Sequence, residues 1–416
     1  MFRKLMTFEE AQRAIASQFK PSALGEEEAV LLEAYNRVLA EDMVSTLDIP
    51  PFSRSTMDGY AVKAEDTFGA DENQPVTLKV CGVVNIGEQP LVKIAKGEAV
   101  EIVTGAPIPE GANSVVMIED TEREDSELQV FTPITPNENI MKCGSDIKKG
   151  EAVLKKGQLL GSSEIGVLAA LGLTKVKVSR IPMIAVLSTG GEITEPGKTL
   201  PPGKIYDINA YSISTAVTES GGKPVYFGVV PDDREALSKT LHAALASADM
   251  VITSGGVSVG PRDYTPQIVD SLGKPGIVVY GIAVKPGKPT TVGFIGEKPV
   301  FSLPGHPTSA LLIFYLLARP LIQQLAGRPV AAMKTIKAAA GSRMFSAKGR
   351  RTFVMVRLMF DKNCRLIAEP VESGASGAIT TLAKADGFVE IPENEQFVDA
   401  DQEVLVSLFR SFAGKV

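Results

Sequence analysis

Soft and nitrogen ligands are scarce in this chain. Its 416 residues include three cysteines, Cys81, Cys143 and Cys364, and two histidines, His242 and His306. The cysteines stand apart, so they form neither a disulfide framework nor a Cys-x-x-Cys metal site, and they read as core or surface thiols. Long apolar runs are also missing. The longest, Ala310 to Ala318, falls well short of the roughly 18 residues a membrane span needs. The first residues turn polar too soon for a signal peptide. A soluble, cytoplasmic protein with no membrane partner is expected. No charge sign dominates: 43 Lys and Arg stand against 49 Asp and Glu, a net of −6. That balance excludes a nucleic-acid binder working by bulk charge, though not a local basic pocket. A Walker A motif, a G-x-G-x-x-G fingerprint and a Ser-His-Asp order are absent as well.

What is present suits several cores. Hydrophobic residues make up 44% of the chain, and the length suggests about two to four domains. Thr7-Phe8-Glu9-Glu10 reads as a capping box opening a helix to about Phe19. The apolar spacing of Val30, Leu31, Ala34, Val38 and Leu39 predicts a second helix over 27–40. From about 74 to 136 the texture is β, with strands expected at 76–84, 99–103, 114–118 and 129–131, and the acidic run 119–127 as a solvated hairpin turn. Ser162-Ser163-Glu164 caps a short helix that ends at Gly172.

From Ile181 to Gly327 strands and helices alternate. Strands are expected at 183–187, 225–230, 250–253 and 277–280, then a pair at 290–295 and 300–303. Helices are expected at 210–219, 233–246, 264–272 and 308–325. Strands that are apolar throughout fit a largely parallel sheet covered on both faces. Arg328-Pro329 reads as a linker, and 331–416 as a small β-barrel. The expected fold is therefore multidomain α/β plus β. A discontinuous helical or mixed domain (1–47 with 140–180) carries a β insertion (48–139). A three-layer αβα unit (181–327) and a C-terminal barrel (331–416) follow.

The polar motifs of the α/β region fall just after its strands, where such sheets place their sites. They are Ser188-Thr189-Gly190-Gly191-Glu192, Asp232-Asp233, Thr253-Ser254-Gly255-Gly256, Lys285-Pro286-Gly287-Lys288-Pro289 and Pro304-Gly305-His306-Pro307-Thr308-Ser309. Gly-rich turns let backbone N–H groups approach an anion. The carboxylates Glu192, Asp232, Asp233 and Asp263 suit a hard cation such as Mg²⁺, and Lys285, Lys288 and Arg262 suit phosphate or another oxyanion. Together these are what phosphoryl or nucleotidyl chemistry requires. Each acid could instead cap a helix, Asp233 in particular. His306, in its turn, could hydrogen-bond or take part in catalysis. His242 lies mid-helix. Earlier in the chain, Ser53, Ser55, Thr56 and Asp58 cluster on a proline-stiffened loop, readable as a ligand loop or as an Asx turn at Asp58-Gly59.

These motifs, in this order, resemble the molybdopterin molybdenumtransferase family (MoeA and the gephyrin E domain). The matching pieces are SxxMDGYA at 53–61, TGAPIPEGA at 104–112, GSDI at 144–147, STGGE at 188–192 and IYDIN at 205–209. SGGVSVGPRDY at 254–264, KPGKP at 285–289 and LPGHP at 303–307 complete the set. The resemblance spans essentially the whole chain.

It implies a four-part subunit in a homodimer, with the cleft between the α/β unit of one copy and the first two domains of the other. It implies Mg²⁺-dependent insertion of molybdate or tungstate into adenylylated molybdopterin (molybdopterin-AMP), with release of AMP. Catalytic roles would fall to Asp263, Asp58, Asp146 and Glu192, with Asp263 and Glu192 at the metal. Substrate contacts would come from Ser254, Gly255, Gly256, Ser258, Lys285, Lys288, Asp232, Asp233, Pro304, Gly305, His306 and Ser309. Ser376, Arg350 and Arg351 would bind oxyanion. Three departures stand out: Gly191 and His306 replace the family's usual Asp and Asn, and Ser145 stands where an acid often precedes Asp146. A molybdopterin adenylyltransferase or a non-catalytic gephyrin-like scaffold remain as alternatives, and contact with a molybdopterin adenylyltransferase stays open as a partnership.

Overall fold

The structure is a computed structural model that describes residues 5–256, 264–330, 332–371, 380–410 and 412. Contacts divide the chain into two units. One comprises 29–35 and 39–176, the other 1–28, 36–38 and 177–416.

The chain enters the larger unit through α1 (Phe8–Gln18). The capping box closes as expected: the Glu10 amide donates to Thr7 Oγ1 at 3.1 Å, and the Thr7 amide to Glu10 Oε2 at 2.8 Å. The helix predicted over 27–40 does not form. Glu26–Val30 is a strand and Leu31–Ala34 a single 3₁₀ turn. Asn36 adopts a left-handed φ of 63°, which a helix cannot hold. The apolar spacing misled because its members part ways: Ala34, Val38 and Leu39 are buried, while Val30 is exposed.

The smaller unit holds one six-stranded sheet. Its strands are β1 (Gly59–Val62), β2 (Val76–Val84), β3 (Glu98–Ile102), β4 (Ser114–Met117), β5 (Thr121–Glu124) and β6 (Glu127–Val130). They pair in the order β4-β1-β3-β2-β6-β5. The acidic run is the β5–β6 hairpin itself, turned at Asp125 with a φ of 53°. Helix α2 (Ser162–Ala170) lies further along the same unit.

The larger unit builds its central sheet from β7 (Met183–Thr189), β8 (Lys223–Val230), β9 (Met250–Ser254), β10 (Pro275–Tyr280), β12 (Thr291–Ile295) and β13 (Lys298–Leu303). A two-residue strand, β11 (Val284–Lys285), lies between β10 and β12 in sequence. The sheet order is β8-β7-β9-β13-β12-β10. β8, β7, β9 and β13 are parallel, and β12 runs against both its neighbours. Two reversals restore β10 to the common direction, so all five parallel strands end on one edge.

Side chains alternate between two cores, as a strand's two-residue period requires. Ile184, Val186, Met250, Ile252 and Phe301 pack with helix α3 (Asn209–Glu219) and helix α6 (Pro307–Leu325). Ala185, Leu187, Val251 and Val300 pack with α4 (Arg234–Ser247) and α5 (Thr265–Leu272). The result is the expected three-layer arrangement. Helix α6 has the length and apolarity to cross a bilayer, but 67% of that window is buried in this core. It widens into a π turn at Phe314–Ala318, just before Pro320. Proline lacks the N–H that an α-helix would use there, and its ring crowds the preceding turn.

Beyond it, β14 (Thr335–Ala340), β15 (Arg351–Phe360), β16 (Leu366–Pro370), β17 (Gly387–Ile391) and β18 (Glu403–Leu408) pair as β15-β16-β14-β18-β17. A β15–β17 ladder closes the ring into a five-stranded barrel. β11 joins that barrel from outside, parallel to the start of β15: Val284 faces Arg351 and Lys285 faces Thr352.

Phe301 is fully buried on the α3–α6 face. Phe301→Ala should destabilise the larger unit by about 3–5 kcal/mol, read as a lowered urea midpoint for the unfolding step that carries this unit.

Candidate active site

The parallel strands end in turns whose shape demands glycine. Gly255 has a φ of 91°, and a Cβ there would lie 2.1 Å from the Thr189 carbonyl oxygen. At Gly256, with φ 65°, a Cβ would lie 2.7 Å from Thr189 Oγ1. The Gly-Gly turn can therefore run against the end of β7 only without side chains. The Gly255 amide then donates to the Leu303 carbonyl at 3.2 Å, joining the turns after β9 and β13.

At the β7–β8 side the edge is acidic. Glu192 is exposed and folds back over Gly190, both carboxylate oxygens lying 2.8 Å from where a Cβ of that glycine would stand. Asp232 Oδ2 accepts from the Gly191 amide at 3.3 Å. Asp233 is differently employed: its Oδ1 accepts from the Ala236 amide at 2.8 Å and caps α4. The two adjacent acids thus separate into one that caps a helix and one that accepts from the Gly191 amide. Asp263, Ser258 and Ser376 lie outside the described residues. Among the described residues, no group of three His, Cys, Asp or Glu gathers as a metal set.

On the opposite side the edge is cationic. A cavity of about 610 Å³ opens between the sheet edge and the barrel. Lys285, Lys288, Pro304, His306, Ser309 and Arg350 all line it. The pairing of β11 with β15 brings them together, since it carries Lys285 alongside the first residues of the barrel strand. Among the described residues no ion pair takes up Lys285, Lys288 or Arg350. Arg351 does not belong to this group. Its guanidinium pairs with Glu9, with Glu390 at 3.1 Å and with Glu393 at 3.3 Å, and it stands over the Phe8 ring. Burial pushes the Glu390 carboxyl up, against the pull of Arg351. Arg351, expected to bind oxyanion, is thus engaged by three carboxylates and does not line the cavity.

Within the smaller unit, three separate motifs converge. Ser55 pairs with Ile140 and Arg54 with Met141. The Cys143 amide donates to Ser53 Oγ at 3.1 Å, and the Gly105 amide to the Ser55 carbonyl at 2.8 Å. The loops 53–59, 104–109 and 144–147 thus form one cluster, with Asp58 and Asp146 both exposed. The Thr104 amide donates to Asp58 Oδ1 at 2.6 Å and holds that carboxyl below its ordinary value.

Two residues not singled out from sequence stand behind the larger unit's rim. Asp207 is 2% exposed and Asn209 8% exposed, and both bond to rim residues. Asp-Ile-Asn just ahead of a helix is a capping-type signal, and it was the trace available in the sequence.

Comparison with known proteins covers the same ground. Residues 6–172 match the MoeA N-terminal region (domain I and II), 185–324 a probable molybdopterin binding domain, and 337–409 the MoeA C-terminal region (domain IV). The chain is 34% identical to a molybdopterin molybdenumtransferase of Haemophilus influenzae over 99% of its length and 100% of the relative. It is 35% identical to one of Nostoc sp. over 90% of its length and 87% of the relative. A crystal structure of a molybdopterin biosynthesis MoeA protein from Pyrococcus horikosii superposes with a TM-score of 0.83 at 44% identity, covering 98% of this chain and 100% of that one.

Two measurements follow from the geometry. The Asp58 carboxyl should titrate below the ordinary aspartate value of 3.8, with the Thr104 amide shift following the same midpoint by NMR. Folding then favours the ionised form, so its contribution to stability is present above that ordinary value and is lost as pH falls through the folded one. In thermal unfolding, Asp233→Ala should cost about 1 kcal/mol through its lost cap, whereas Asp232→Ala should leave stability within about 0.5 kcal/mol.

Proposed function

The chain belongs to the MoeA family, and from that premise we propose that it inserts molybdate or tungstate into adenylylated molybdopterin, with Mg²⁺, and releases AMP. The observation that carries this reading is the cavity beside the sheet edge. Lys285, Lys288 and Arg350 line it with no described counter-ion, and a tetrahedral dianion would supply what they lack. Arg offers a planar fork and Lys a point charge, a pairing that suits an oxyanion. Ser309, at the start of α6 and 3% exposed, adds a hydroxyl to the same wall.

The adenylylated substrate would lie along the remainder of the edge. The Gly-Gly turn at Gly255 and Gly256 leaves backbone free of Cβ for a phosphate to approach. Glu192 and Asp232 offer carboxylate oxygens, the donors that Mg²⁺ takes while keeping several waters. The donor set fits that ion, which would neutralise charge on the departing AMP phosphate. In this reading Asp263, which lies outside the described residues, adds a further carboxylate to the chemistry, and Asp58 and Asp146 act from the second copy of a homodimer. The four-part division 1–47 with 140–180, 48–139, 181–327 and 331–416 goes with it, as does a cytoplasmic setting.

The chemistry asked of these residues is bond-specific. Water adds at phosphorus as the phosphoanhydride P–O bond breaks and AMP leaves, and two metal–oxygen bonds of the oxyanion give way to two metal–sulfur bonds, the displaced oxygens departing as water with the two thiol protons and two more from solvent. Lys285, Lys288 and Arg350 hold the oxyanion until that exchange. The acids orient the anhydride and keep its leaving phosphate neutralised.

The test supplies adenylylated molybdopterin, Mg²⁺ and either molybdate or tungstate, and follows AMP release and cofactor formation. AMP release that depends on the oxyanion is expected; its absence, or release indifferent to the oxyanion, would sink the reading. Lys288→Ala should remove a charge-assisted contact of about 1.5–3 kcal/mol, raising the oxyanion KM roughly ten- to a hundredfold. An unchanged KM would take Lys288 out of the site.

A further inference from the structure

Behind the rim, a three-residue segment ties four of its strands together. Asp207 Oδ1 accepts from Ser188 Oγ at 2.9 Å and from the Ala210 amide at 3.1 Å, and its Oδ2 accepts from the Tyr226 hydroxyl at 3.1 Å. Ser188 belongs to β7 and Tyr226 to β8, so one buried carboxylate anchors the start of α3 to two neighbouring strands. Burial and this carboxylate push the Tyr226 phenol up, so it stays a proton donor across the working pH range.

Two residues on, Asn209 reaches the other two. Its Nδ2 donates to Ser254 Oγ at 2.7 Å and to the Gly305 carbonyl at 2.7 Å. Ser254 Oγ in turn lies 3.4 Å from the Pro304 carbonyl as donor. Both amide hydrogens of Asn209 are thus committed, one to the turn after β9 and one to the turn after β13. Its Oδ1 is buried and has no partner. A side chain kept in a buried site with its acceptor unmet is held there by what its donors do.

We propose that Asn209 is a positioning residue: it locks the Ser-Gly-Gly turn after β9 to the Pro-Gly-His turn after β13, so that the two act as one binding surface, with Asp207 as its anchor. Apart from Asn209, the described residues join the two turns through the β9–β13 ladder, which runs to Ser254 and Leu303, and through Ser254 Oγ on the Pro304 carbonyl. The Gly255 amide meets the Leu303 carbonyl, and a Cβ on Gly305 would lie 3.9 Å from Gly255 Cα. Asn209 lies beneath this junction. It would not touch the reacting atoms but would fix the separation between the phosphate-approaching turn and the wall of the cationic cavity.

Only the identity of the ligand rests on the function proposed above; the lock itself does not. Asn209→Asp is nearly isosteric, loses both N–H donors and sets a carboxylate oxygen against the Gly305 carbonyl. Should it fail to fold, Asn209→Ser keeps a small hydroxyl donor and serves the same comparison. Two readouts are taken on the full chain. Hydrogen exchange at the Gly255 amide should quicken about tenfold or more while Val251 and Ile252 in β9 keep their rates. KM for adenylylated molybdopterin should rise about tenfold with kcat within about threefold. Unchanged exchange at Gly255, or exchange that quickens equally through β9, would overturn the lock and leave Asn209 a packing residue. Quickened exchange with an unchanged KM would overturn its role in binding. If the unaltered protein releases no AMP, the proposed function fails, and the exchange measurement still decides the lock.

Discussion

Two residue pairs hold the cationic side of the site together. β11 is only Val284 and Lys285, yet it lies parallel to the first residues of β15 and so adds a segment of the sheet-edge loop to the barrel. That pairing sets Lys285 alongside the start of the barrel strand, next to Arg350, and a shared core that includes Ile313, Phe314, Phe353 and Phe388 joins the barrel to the α/β region as well. The Arg351 amide donates to the Ala283 carbonyl at 3.0 Å, extending the ladder by one more bond. The Arg351 side chain secures the same point from the other side, through Glu9 of α1 and Glu390 of β17. Adjacent arginines thereby divide their labour: Arg351 fastens the junction, and Arg350 is left to face the cavity. Burial, and after it the neighbouring carboxylates Glu9 and Glu393, push the Glu390 carboxyl up against the pull of Arg351.

The distribution of charge along the edge follows from strand order. β8 and β7 lie at one end of the sheet, and their turns carry Asp232 and Glu192. β13 and β10 lie toward the other end, and the segments that follow them carry His306, Lys285 and Lys288. The parallel strands β7, β9 and β13 keep the two sets apart, so the lysines are not neutralised by the acids. The function proposed above, an anion at one end and a cation beside a phosphate at the other, would use that separation.

Much of this was legible in the sequence, and the failures have physical causes. The strands of the α/β region were readable because they are apolar throughout and end in Gly, Ser and Asp. The region 331–416 was readable as a small β-barrel, and β14 to β18 form it. The helix expected over 27–40 was misjudged because apolar spacing carries no information about which residues are buried, and the left-handed Asn36 is invisible in composition. Asp233 was legible as a possible cap of α4, and it caps that helix through the Ala236 amide, whereas the partner of Asp232, the Gly191 amide 41 residues away, was not legible. Arg350 and Arg351 were indistinguishable as letters: alternate strand residues face opposite sides, and the register was unknown. Asp207 and Asn209 stood inside the IYDIN motif, but what they hold was not legible because, the Ala210 amide apart, their partners come from 19 to 96 residues away in sequence, a separation that no local pattern encodes.

Gly191 carries a consequence of a different kind. Its neighbours Gly190, Gly255 and Gly256 are fixed by left-handed backbone or by carbonyls pressed against them. Gly191 has an ordinary backbone, and nothing lies within 4 Å of where a Cβ would project. Its missing side chain answers to no steric demand. The acidity of this end of the edge can therefore be reset by a single Gly-to-Asp codon change without disturbing a turn, a strand or a helix. Selection can adjust the charge at this end of the edge independently of the fold, a freedom that the adjoining glycines do not have.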